Sequence, residues 1–177
     1  MKKFLTLLAT TLILLPTWVA AQSIDFGRGE LPVTVPDGYS SDTPAPLIVL
    51  LHGYTSSGEG QDSYLGFSRV ADRYGFLFVA PDGDQEASDD RSRFWNATDA
   101  CCDFFGAESD DSDYIHGIIN KMKDEYNVDS SRVYLVGHSN GGFMSYQMAY
   151  LHSDDIAAIA SLAGASHNED RDAPGNP

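Results

Sequence analysis

The segment Gly137-His138-Ser139-Asn140-Gly141 follows the apolar run Val133-Tyr134-Leu135-Val136 and opens a stretch of helical spacing that continues to about Leu151. A serine placed between a strand and a helix sits on a sharp turn with strained backbone angles. Glycines two before and two after it let the two elements approach closely. Such a turn, a nucleophile elbow, exposes the hydroxyl at the end of a sheet and aims the positive end of the following helix at it, as a nucleophile requires. Ser139 is therefore the candidate nucleophile, and the backbone N–H of Asn140 is one candidate oxyanion donor. Between Gly141 and Pro177, where the chain ends, no clear acid and His pair follows to activate the serine.

Residues 1–21 read as a secretory leader. Lys2 and Lys3 supply the positive start, Phe4 to Leu15 the apolar core, and Val19-Ala20-Ala21 a small-residue cleavage site. The apolar core is shorter than the ~20 residues of a spanning helix, which makes a membrane anchor the weaker reading. Residues 22–177 then form one domain, of a size that buries about two-thirds of its unfolded surface. The net charge is −15, from 11 Lys and Arg against 26 Asp and Glu. Removing the leader takes away two lysines and no acid, so the exported domain is more acidic still. That sign argues against nucleic acid or anionic membranes as partners. Cys101 and Cys102 are adjacent, and export favours oxidation. A bond between the neighbours, pairing with other cysteines and free thiols all stay open, while two adjacent thiols lack the spacing of a zinc site.

Leu31 to Val35 reads as an early strand, and Leu47 to Leu51 as a central strand buried on both faces. Tyr64, Phe67, Val70, Ala71 and Tyr74 predict one helix over Ser63 to Tyr74 stopped by Gly75. Phe76 to Ala80 is the next strand. Ile115, Ile118, Ile119, Met122 and Tyr126 form a helical stripe behind an acidic start, followed by the Val133 to Val136 strand and a last strand over Ile156 to Leu162, which a sheet without its later strands leaves as an exposed apolar edge. Strands alternating with helices predict a parallel sheet with right-handed crossovers. The stretch from Pro81 to Asp113 is too long for an ordinary connection and is either a functional loop or a disordered one.

The second oxyanion donor is expected after the Leu47 to Leu51 strand. There His52-Gly53-Tyr54 makes the Tyr54 N–H the candidate, with His52 and Gly53 shaping the loop. Asp82, Asp84, Glu86, Ser88 and Asp90 alternate like a calcium loop, but Ala87 stands where Gly is needed and Arg93 where Glu is needed. No metal is assigned. Trp95 is read as a possible wall of a substrate pocket, or as a plug over the core. His138 is expected to face away from the serine, His116 and His152 to be solvated or capping, and His167 is the one remaining candidate base.

Taken in chain order, Pro46 to Tyr54, Phe78 to Gly83, Trp95-Asn96 with Cys101-Cys102, Asp113-Tyr114-Ile115 and Arg132 to Gly142 resemble the secreted esterase family of polyhydroxybutyrate depolymerases and feruloyl or acetylxylan esterases. The resemblance implies an α/β-hydrolase fold, with a mostly parallel sheet, flanking helices and the last strands lacking. It implies no cofactor, and hydrolysis of polymeric or plant cell-wall carboxylic esters through an acyl-enzyme on Ser139. The catalytic acid and His are expected beyond Pro177. Two other readings are a prolyl-oligopeptidase-like peptidase and a catalytically inactive binding module on the same fold.

Overall fold

The computed structural model describes residues 22–86, 89–104 and 106–168; the leader lies outside them. In chain order the elements are β1 (Gln22–Asp25), β2 (Glu30–Thr34), β3 (Ala45–Leu51), α1 (Gly58–Leu65), α2 (Ala71–Tyr74), β4 (Leu77–Val79), β5 (Asp84–Glu86), β6 (Asp89–Phe94), α3 (Asp111–Glu125), β7 (Val128–His138), α4 (Asn140–Leu151) and β8 (Ala158–Leu162). Six strands form one sheet in the order β1-β2-β4-β3-β7-β8. From β4 to β8 the pairings are parallel, while β1 and β2 add an antiparallel border. The alternation of strands and helices predicts this mostly parallel sheet.

The continuous apolar run of β3 feeds two cores because successive strand residues point to opposite faces. Leu47, Val49 and Leu51 join Ile115, Ile118, Ile119 and Met122 of α3 and Met144 and Met148 of α4. Leu50 faces the other side with Ala71, Phe76, Phe78 and Val136. Burying each such side chain fully is worth about 1.5–3 kcal/mol relative to leaving it exposed. Helix α3 is started by Asp110, whose side chain accepts the Asp113 N–H at 2.9 Å. Asp111 and Asp113 add negative charge to its positive end.

Two expectations are corrected. The helix over Ser63 to Tyr74 is in fact two, because Gly66 adopts φ 77° and closes α1 with its N–H on Asp62. Tyr64 is consequently 75% exposed and serves no core. The stretch after Pro81 folds back as the β5–β6 hairpin and carries the buried Phe94 and Trp95. The last strand, β8, is the open edge expected of a sheet without its later strands: it pairs with β7 alone among the described strands, and Leu162 is 41% exposed.

An apolar, half-paired edge is a template for another strand. We expect the chain to self-associate in sedimentation experiments at micromolar concentration, and Ala160→Lys on β8 to shift it toward monomer. A monomeric parent with a cooperative melt would show that this edge is harmless.

Candidate active site

Ser139 stands between β7 and α4 with φ 52° and ψ −118°, a region a serine enters only when its surroundings force it. Its N–H donates to the Leu162 carbonyl at 2.7 Å, and its carbonyl accepts the Gly142 N–H at 2.7 Å. The flanking glycines explain why the turn holds. A side chain on Gly137 would run into the Gly141 carbonyl, and one on Gly141 into the carbonyl of Leu51. Strand β3, strand β7 and helix α4 thus meet at backbone contact around the serine.

The His52-Gly53-Tyr54 loop leaves the end of β3 beside this turn. A Cβ on Gly53 would lie 3.5 Å from the Ser139 Cβ and 3.3 Å from Nδ1 of His138. The half-buried Tyr54 follows, its ring edge-on to Phe104 at 5.4 Å. The loop is held from several sides. Gln61 on α1, itself buried, accepts the Gly53 N–H at 3.2 Å. Thr55, at φ 66°, donates its N–H to the Arg93 carbonyl at 2.8 Å.

His52 is fully buried, and its two ring nitrogens are both committed. Nε2 accepts the Gly83 N–H at 2.8 Å. A backbone amide can only donate, so Nδ1 carries the proton and gives it to the Gly53 carbonyl at 2.8 Å. Burial, the largest influence, holds the imidazole below its ordinary pKa against the opposing bond to Gly53 and charge of Asp82; Arg93 adds to the lowering. With its lone pair occupied, His52 shapes the loop and takes no proton from Ser139. The sign of its pH effect follows. Unfolded imidazole titrates near pH 6.5, so below about that value the unfolded chain binds a proton that the folded chain refuses. Stability is therefore full above about pH 6.5 and declines as pH falls toward the folded pKa. The urea midpoint should drop between pH 7.5 and pH 5.5 by more in the parent than in His52→Gln; equal drops would remove His52 from the account.

The other histidines are engaged elsewhere among the described residues. His116 and His152 stack at 4.1 Å where α3 meets the end of α4, with Asp155 3.1 Å from His116. His138 packs against Gly53 and the Tyr64 ring. His167 stands edge-on to Tyr150 at 4.7 Å and 3.7 Å from Asp99. Tyr150 is near the far end of α4, about 16 Å of helix rise from Ser139, so His167 is not placed as its base. Cys101 and Cys102 are bonded to each other. No group of three or more His, Cys, Asp or Glu among the described residues is placed to hold a metal. Nor is any described helix long and apolar enough to cross a membrane.

Trp95 is 0% exposed, so it lines no surface pocket in this structure, and the plug reading holds. Its indole N–H donates to the His52 carbonyl at 3.0 Å. Its backbone is gripped by the Asn140 side chain, whose Oδ1 accepts the Trp95 N–H at 2.6 Å and whose Nδ2 donates to the Trp95 carbonyl at 2.9 Å. The side chain of Asn140 and the Gln61 clamp were not legible in the sequence: Asn140 bonds a segment 45 residues away, and a buried polar residue on a helix carries no local signature.

Residues 32–174 match the family described as Esterase PHB depolymerase. The chain is 34% identical over 120 residues to the bifunctional acetylxylan esterase/xylanase XynS20E of Neocallimastix patriciarum, covering 68% of this chain and 16% of that protein. It is 31% identical over 133 residues to feruloyl esterase B of Neurospora crassa, covering 75% and 43%. The structure of acetyl xylan esterase from Aspergillus awamori superposes with a TM-score of 0.62 at 24% identity, over 82% of this chain and 52% of that one. The sheet is thus that of an α/β-hydrolase, and the chain spans about half or less of the length of these proteins. Because the match runs through the elbow, the His-Gly loop and the segment that ties them together, the chain belongs to the Esterase PHB depolymerase family.

Proposed function

We propose that this chain carries the nucleophile and the oxyanion donors of an exported serine esterase acting on carboxylic esters. Ser139 Oγ attacks the ester carbonyl carbon, and the carbonyl oxygen, now anionic, accepts the N–H groups of Asn140 and Tyr54. Collapse expels the alcohol and leaves an acyl group on Ser139, which water then removes. The serine proton goes to a histidine, oriented by an acid, supplied from beyond the described residues. The observation that carries the reading is Ser139 itself, held at φ 52° at the N-terminus of α4 with Gly53 against it. Relatives named as acetylxylan and feruloyl esterases support a polymer-borne ester, either of a plant cell wall or of a polyhydroxyalkanoate. The apolar leader supports export.

With the residues that supply this histidine and acid present, a fluorophosphonate probe should label the protein, and Ser139→Ala should abolish the labelling. A well-folded protein that is never labelled would overturn the proposal in favour of a binding module on the hydrolase fold. Cleavage of peptides, with esters refused, would favour a peptidase.

A further inference from the structure

Asp111 opens helix α3 at 1% exposure, a position where an ionised carboxylate is costly. It is paired with Arg28, from the turn between β1 and β2, at 2.6 Å, and the guanidinium lies 4.0 Å from the centre of the Tyr114 ring. Burial pushes the Asp111 carboxyl up from its ordinary pKa, with Arg28 and the Asn96 N–H opposing. A buried ion pair of this kind is weak evidence for stability, because a well-packed apolar pair of similar volume is often equally stable. An apolar pair, however, could not do what the second oxygen of Asp111 does: it accepts the N–H of Asn96 at 2.6 Å.

Asn96 ends the segment Arg93-Phe94-Trp95-Asn96, and that segment touches both walls of the proposed oxyanion site. Arg93 holds Thr55, the Trp95 indole holds His52, and the Trp95 backbone holds Asn140. At its other end Arg93 is paired with Asp82 at 3.2 Å. The two donors therefore share one backing strip, pinned at both ends by charge.

We propose that Asp111 is a positioning residue for the esterase site: neutralised by Arg28, it fixes Asn96 and thereby the strip that sets the Tyr54 and Asn140 N–H groups relative to Ser139. The proposal rests on the serine esterase reading. Its test compares Asp111→Asn with Asp111→Leu, each combined with Arg28→Met so that neither leaves a buried charge, and each in a Trp18→Phe background that leaves Trp95 as the sole indole. The Asn chain can still accept the Asn96 N–H; the Leu chain cannot.

With p-nitrophenyl acetate as substrate, kcat should fall at least about tenfold in the Leu chain relative to the Asn chain, with KM unchanged, since small misplacements of reacting groups are that costly. Trp95 emission should move to the red in the Leu chain only. Equal kcat and equal emission in the two folded chains would overturn the proposal, as would a loss confined to the melting temperature. If the parent is neither labelled by fluorophosphonate nor active, the esterase reading fails, and the Trp95 emission of the two chains still decides whether Asp111 holds the strip.

Discussion

Gly141→Ala is expected to destabilise the protein by about 3–5 kcal/mol, which for a domain of marginal stability is enough to unfold most of it. The added methyl group would be driven into the carbonyl of Leu51, with the carbonyl of His52 2.7 Å away. Neither is the far end of a flexible side chain. Both belong to the backbone at the end of β3, which is fixed on one side by β4 and on the other by β7, so relief requires moving the central strand or lifting α4 off it. Gly38 is the matched control: a Cβ there meets nothing within 4 Å. Gly38→Ala should change stability by no more than about 0.5 kcal/mol, as exposed substitutions usually do. Urea unfolding with an unchanged slope measures both. A Gly141→Ala protein within 1 kcal/mol of the parent, on the order of a typical mutation, would mean that the elbow yields more easily than its contacts imply.

Asn140→Ala should be the most damaging side-chain truncation for activity that leaves the Ser139 hydroxyl, the proposed nucleophile, intact. The carboxamide satisfies both polar groups of the Trp95 backbone in a fully buried setting. Without it, a buried N–H and a buried carbonyl lose their partners at about 1–3 kcal/mol each. The proposed donor of Asn140 is its backbone N–H, which the substitution keeps. A fall in kcat of roughly a hundredfold would therefore report displaced geometry, since misplacing reacting groups by about 1 Å has an effect of that size. Asn140→Asp retains an acceptor for the Trp95 N–H but turns an oxygen toward the Trp95 carbonyl, and should fall between parent and Ala. Initial rates on a small ester, read beside urea midpoints, separate the two effects. An Ala variant that hydrolyses as fast as the parent would show that the Trp95 strip does not govern the site.

The elbow was readable because everything it needs is local. Strand, serine and helix lie within twenty-odd residues, and sterics alone demand glycine at Gly137 and Gly141. The central strands were readable for a related reason: a strand buried on both faces must be apolar throughout, as β3 is. What sequence reasoning missed is where the signal is weak or distant. Strand β1 buries Ile24 between the exposed Ser23 and Asp25. The β5–β6 hairpin is built almost entirely from charged and polar residues. Trp95 reads as a pocket wall or, more often for a Trp in a long loop, as a plug, and its bonds to His52 and Asn140, 43 and 45 residues away, carry no local signal that would decide between them.

The place of β3 at the middle of the sheet also sets a timetable. Leu47 pairs with Leu77 of β4 on one side and with Val133 of β7 on the other. A chain made at roughly 5–20 residues per second delivers β4 within a few seconds of β3, but β7 only after roughly 4–17 s. Throughout that interval the longest wholly apolar strand among the described residues has one free edge. If the chain is exported as proposed, it must then keep a holding partner on that strand, or cross the membrane before it folds.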